Sequence, residues 1–461
     1  MVIKGWSGSS SSRMTRLGIA LVALAVVVPA YRALEAQQPA RAAGGGQVTF
    51  AKDVAPILQN HCQECHRPGA IAPMSLLTYD DARPWARSIK TKVSDHLMPP
   101  WYIDRRVGIR KFKEDPSLSD DEIATIVKWV DGGAPLGNPA DLPKPRQFMD
   151  LNAWRIGQPD LIVTMPEAWV VKPAAPDDWP TFVLDPKLTE DRYIKAVEVK
   201  PAPNSHVVVH HVTTTMSSGD EDRATAERAG GFLNEYALGK NGDIFEDGTG
   251  RLIKAGSKIR MNVHFHSNGE TVPAKVSIGL KFYPKGVTPK HVVITQHMGD
   301  NDDLDLPAGE DNIRHDGYTI LTKPSVVTSF QPHLHNRGKG QCMEAIVPPT
   351  MPDGTPITDG APLARPITLS CIARWEFNWH LVYNYADDVA PLFPAGTIIH
   401  VTTWHDNSPT AKYNPNPRAN VGYGQRTIDD MSFSWVSYYY LTDAEYKERV
   451  AARNAKATQN Q

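Results

Sequence analysis

Val207-Val208-Val209-His210-His211-Val212-Thr213-Thr214-Thr215 is a run of β-branched residues interrupted by two adjacent histidines. Valine and threonine are stiff at χ1 and pack well on a pleated surface, so the run predicts a strand. Runs of the same texture recur at Tyr193 to Val199, Ala274 to Phe282 and Ile398 to Trp404. Connectors rich in Pro and Asp separate them, as in Pro173-Ala174-Ala175-Pro176-Asp177-Asp178. With 38 prolines and 33 glycines in 461 residues, 41% of them hydrophobic, the chain beyond Pro143 reads as β-sandwich sequence with room for several cores. It contains no Gly-rich phosphate loop, nucleophile elbow or His-Glu-x-x-His helix. The chemistry therefore falls to the histidines.

Four groups stand out: His210-His211, His264-Phe265-His266, His333-Leu334-His335, and Met431 behind Asp429-Asp430. Residues two apart on a strand share a face, so His333 and His335 can hold one metal ion together. Adjacent His210 and His211 point to opposite faces of a regular strand and need a bulge or a strand end to converge. His266 shares a face with His264, as an alternative ligand or as a group supporting it. Imidazole combined with a thioether suits copper, whose reduced state favours soft sulfur. An all-histidine group suits copper or zinc. His206, His291, His297, His315, His380, His400 and His405 read as structural or exposed.

The amino-terminal third carries a different signal, Cys62-Gln63-Glu64-Cys65-His66. Two cysteines at this spacing can form thioethers to the vinyl groups of a haem, with His66 as the axial iron ligand. Residues 47–140 read as helical around it. Phe50 to Gln59 and Ala82 to Val93 have helical periodicity, and Ser119-Asp120-Asp121-Glu122 opens a third helix with capping residues. Met98, in Leu97-Met98-Pro99-Pro100-Trp101, is placed to be the distal iron ligand, and Met74 is the alternative. The segment from Val48 to Ala134 resembles a class I cytochrome c domain.

Ahead of it, Arg13 and Arg16 precede an apolar run from Leu17 to Ala30, and Ala33-Leu34-Glu35-Ala36 offers small residues for cleavage. A signal peptide over 1–36 and a periplasmic location are expected, with membrane contact only if the segment stays uncleaved. Cys342 and Cys371, left over in an oxidising compartment, are expected to form a disulfide around the insertion from Pro348 to Pro366. The formal charge of −2 gives no footprint for nucleic acid.

From about Asp160 to Tyr440, the order and surroundings of the histidines resemble the copper type II, ascorbate-dependent monooxygenases, the family of peptidylglycine α-hydroxylating and dopamine β-monooxygenases. The resemblance implies two copper ions. His210, His211 and His264 correspond to the electron-transfer copper, and His333, His335 and Met431 to the oxygen-binding copper that carries catalysis. Gly338-Lys339 also fits the family's pattern. Gln331 stands where the peptide-hydroxylating branch has an arginine, and Trp435 where it has a tyrosine, which separates this chain from peptide amidation.

The expected fold is multidomain: a small all-α cytochrome c domain (47–140), then two all-β, jelly-roll-like sandwiches (150–287 and 288–445), then a polar tail (446–461). The expected activity is hydroxylation of a C–H bond of a small organic substrate with dioxygen. Electrons would come from a periplasmic donor (a cytochrome, a quinol-linked donor or an ascorbate-like reductant) through the covalent haem c. The competing readings are a non-enzymatic haem and copper carrier, and a haem peroxidase. Met98 as sixth ligand would close the haem to peroxide.

Overall fold

The β-branched runs form strands where they stand. In the computed structural model, which describes residues 46–218, 223–228, 230–237, 242–300, 302–355, 357 and 364–459, the histidine-bearing run becomes the strand Val209–Ser217. It lies between Lys258–Phe265 and Phe232–Ala237, with Thr181–Leu184 beyond, in a four-stranded antiparallel sheet. A second four-stranded sheet runs in the order Ile313–Leu321, Thr397–His405, Gly338–Val347, Arg365–Ile372. Cys342 and Cys371 face each other in its register and are joined as a disulfide, as expected. Such a bond persists in oxidising surroundings.

An eleven-stranded sheet connects the two halves. Thr249–Ile253 and His291–Met298 pair in parallel, and His291–Met298 then pairs antiparallel with Phe433–Tyr440. Ser329–His333 hydrogen-bonds to the same Phe433–Tyr440 strand, which seats His333 opposite Phe433. One apolar core gathers Val197, Val212, Val263, Ile278 and Leu280, and another gathers Met298, Val327, Phe330, Val401 and Tyr439.

The expected multidomain fold, with a separate all-α cytochrome c domain ahead of the two sandwiches, is corrected by this structure. The described chain is predominantly β-sheet, its helices are few and mostly short, and no all-α cytochrome c domain stands among the described residues. Residues 47–461 form one compact unit. The helix signals were sound locally. Thr78 and Ser119 each make a reciprocal capping box, and Asp120–Asp131 buries Ile126 and Trp129 against Phe50, Val54 and Leu58. The helical cluster does not close on itself, however. Between Asp95 and Ser119 the chain has no helical period, and its aromatics must find burial elsewhere. Ile103 bridges to Ile372, Phe112 bridges to Tyr385, and Trp101 packs edge-on against Tyr383 at 4.7 Å. The helices are thus an extension of the β body.

At the other end, the polar tail forms the helix Asp443–Gln459, anchored through buried Tyr446. The signal segment 1–36 lies outside the described residues. Among the described residues, no helix is long and apolar enough to cross a membrane.

Candidate metal centres

The strand Val209–Ser217 shifts register against Lys258–Phe265 between Val209 and His211, so His211 lies opposite His264. This irregularity supplies the bulge that adjacent histidines need to face one point. The Nδ1 atoms of His210 and His211 lie 3.1 Å apart, and that of His264 lies 3.4 Å from His211 Nδ1. The ligand atoms of all three residues fall within 4.8 Å of one another. Two nitrogens held about 2.0–2.1 Å from one ion at near-tetrahedral angles stand about 3–3.5 Å apart, so the spacing fits a bound ion.

Electrostatics prepare the group for a cation. Burial, then the neighbouring His264 and His266, pulls His210 down to about 4. Burial, followed by His380 and His264, holds His211 well below its ordinary value. Both imidazoles are neutral at pH 7, the form that binds metals. Asp177 fixes the third. Its Oδ2 accepts from His264 Nε2 at 2.9 Å and its Oδ1 from His266 Nδ1 at 2.7 Å. The His264 hydrogen bond is the largest influence holding Asp177 down at about 2, so it is a carboxylate that can only accept. His264 Nε2 must then carry the proton, and its Nδ1 lone pair is left for a metal. His266 is exposed and supports the group through Asp177.

His333 closes the strand Ser329–His333, and His335 follows two residues on, just before a turn, with ring centroids 5.5 Å apart. His335 Nδ1 donates to the Asp429 carbonyl at 3.2 Å, which leaves its Nε2 lone pair for a ligand. Buried Asp430 draws the pieces together. Its Oδ1 accepts the backbone N–H of His335 at 2.8 Å and that of Met431 at 2.9 Å, and its Oδ2 accepts that of Arg337 at 3.0 Å. Burial alone would raise the Asp430 carboxyl, but His405, 3.3 Å away, and His335 together outweigh it and hold it at about 2. Met431 is buried with Phe232, Phe433 and Trp435, and Phe433 stacks on His333 at 4.7 Å. Imidazole donors combined with a thioether would suit copper.

Nearby, Gln331 donates to Glu235, and Trp435 packs on Phe232 with centroids 4.1 Å apart.

The Cys62–His66 stretch folds back on itself at the end of Ala55–His61, with His66 N–H donating to Cys62 O at 2.9 Å. Both cysteines are free, and burial is the main cause pushing the Cys62 thiol up to about 12. His66 Nδ1 donates to the Met74 carbonyl at 3.2 Å, so Nε2 is the nitrogen left for iron. Free thiols beside an imidazole tied in this way fit a covalent haem. The Met74 backbone thereby sits on the Nδ1 side of the His66 ring. Glu64 pairs with Arg155 at 2.7 Å and Arg146 at 3.2 Å, and Arg155 N–H donates to Glu198 on the strand Arg192–Pro201. These contacts tie the motif to the β body.

Three residues escaped the sequence reading of the site. Asp177 lies in a Pro-rich connector and reads as a loop acid, Asp430 reads only as an acidic lead-in to Met431, and His380 has no partner at ligand spacing. Only the loop path brings them to the histidines.

No family model matches this sequence, and no curated protein matches it. Among solved structures, allantoicase from Saccharomyces cerevisiae aligns at 9% identity over 57% of this chain and 78% of its own, with a TM-score of 0.16. The infectious bursal disease virus VP2 subviral particle aligns at 10% identity over 62% and 72%, with a TM-score of 0.15. Likenesses this weak carry no argument about fold or activity.

Proposed function

We propose that this protein is an exported copper-dependent monooxygenase that hydroxylates a C–H bond of a small organic substrate with dioxygen, fed with electrons through a covalently attached haem. The observation that carries the proposal is the convergence of His210, His211 and His264 on one point, with Asp430 holding the backbones of His335 and Met431 in the adjoining half. The first three residues would hold one copper and the second three the other. When bound, copper supplies one electron per site and activates dioxygen, for which the thioether-favoured Cu(I) is the competent state.

The chain's own residues do the rest. Asp177 keeps the His264 proton on Nε2, and the Asp429 carbonyl keeps the His335 proton on Nδ1. Asp430 fixes the spacing between His335 and Met431. Phe232, Phe433 and Trp435 give that group an apolar wall that excludes water. Gln331, held by Glu235, offers no cation for a substrate carboxylate, which favours a neutral or cationic substrate over a glycine-extended peptide. Cys62, Cys65 and His66 would hold the haem, with Met98 as the distal ligand. Glu64 and Arg155 couple that segment to the β body.

The test is oxygen uptake by the copper-loaded, reduced protein under labelled dioxygen. Copper-dependent uptake with label in an organic product is expected, and Met431→Ala should lower the rate at least a hundredfold while leaving the haem spectrum intact. Uptake that does not depend on copper would refute the proposal.

A further inference from the structure

His380 lies in the loop between Arg365–Ile372 and Tyr383–Asn384 and is only 3% exposed. Among the described residues, neither of its ring nitrogens meets a partner at full hydrogen-bond geometry. Its surroundings explain why this matters. The Trp375 ring stands edge-on at 5.4 Å and the Phe377 ring at 6.1 Å; neither ring offers an acceptor, and the Phe377 backbone is felt only as the smallest influence on His380. The other rings against it are imidazoles: His211 stacked at 5.1 Å, His333 at 5.8 Å and His210 at 6.2 Å. A buried polar ring with both nitrogens unsatisfied is costly, and an apolar side chain would fill the same space without that cost. A ligand that a buried imidazole set among other imidazoles can take up is a metal cation.

We propose that His380 is a further metal-ligating residue, a fourth imidazole that joins the His210, His211 and His264 group and stands between it and His333. The cation class is borderline-to-soft, with Cu(I) and Cu(II) favoured by an all-nitrogen set next to a thioether site. An imidazole has nitrogens on two sides of its ring, so His380 can ligate on one side while the other faces the neighbouring histidine group. It would thereby supply a donor to the first centre and place a single conjugated ring between the two.

The inference rests on the copper reading above, and the experiment separates the two. Metal-free full-length protein is titrated anaerobically with Cu(I) against a chromogenic chelator, and the Cu(II) form is examined by electron paramagnetic resonance. His380→Gln keeps polarity and His380→Phe fills the apolar walls, so the fold does not depend on one choice of variant. His210→Ala serves as the reference. Both His380 variants are expected to bind one copper at least tenfold more weakly than the unaltered protein and to shift its resonance parameters, with the other copper unchanged. Affinities and spectra identical to the unaltered protein, while His210→Ala loses a copper, would overturn the role of His380 and leave the copper reading standing. An unaltered protein that binds no copper would overturn both.

Discussion

Single carboxylates set the proton positions on which metal binding at these histidines would depend. Asp177 commits His264 to a protonated Nε2, and losing that commitment loosens the ligand without removing it. Supporting hydrogen bonds of this kind are worth about 10–100-fold in metal affinity. Asp177→Asn is therefore expected to weaken one copper by about that factor in a chelator competition, whereas His264→Ala should abolish its binding. The buried histidines also make a pH signature. Burial holds His210 at about 4 and His380 at about 3, against 6.5 for a free imidazole. The Phe377 backbone opposes the shift of His380 only weakly. Below pH 6.5 the unfolded chain takes up protons that the folded chain refuses. The stability these groups allow is thus complete above 6.5 and is lost as the pH falls toward 4. The unfolding free energy of the metal-free protein, read from urea titrations, should drop between pH 7 and pH 4.5 by about 2 kcal/mol for each such histidine. Saturating copper should raise the midpoint at pH 7, because it binds only the folded chain.

At the scale of elements, the turn after His335 is built on a glycine for want of space. A Cβ on Gly338 would lie 2.5 Å from the Trp375 ring and 2.6 Å from Leu334 Cβ. Trp375 in turn donates to the His335 carbonyl at 3.0 Å and packs against His380. Gly338→Ala should destabilise the protein by about 1–3 kcal/mol in denaturant unfolding, as overpacking does, and should also weaken copper binding. The strand bearing His210 and His211 was legible from its β-branched residues, and the need for a bulge followed from strand geometry alone. The helix caps at Thr78 and Ser119 were equally readable, because capping is local chemistry. The fate of the helices was not. Where Trp101 and Phe112 find burial is a non-local matter decided by Tyr383 and Tyr385, more than 270 residues away in sequence. His380 stayed hidden for the same reason, since a histidine in an aromatic loop has no spacing to betray it.

Across the whole molecule, one sheet joins the two histidine-bearing halves through the parallel pairing of Thr249–Ile253 with His291–Met298, and the haem-type motif is bound to the same body through Glu64 and Arg155. A source of electrons and two redox-active metals on one body would need no diffusible partner between them. Cys62→Ala with Cys65→Ala should remove the haem band and slow reduction of bound copper by an external electron donor, while copper stoichiometry stays unchanged. Met98→Ala should alter the haem spectrum, and Met74→Ala should leave the iron's distal side unaltered. The most direct measurement of the central claim is copper K-edge X-ray absorption on the fully loaded, reduced protein, beside its metal content. Two coppers per chain are expected, with histidine nitrogens around both and one sulfur scatterer that disappears in Met431→Ala. Haem without copper, or copper with no sulfur neighbour, would contradict the assignment of His333, His335 and Met431 as an oxygen-activating site.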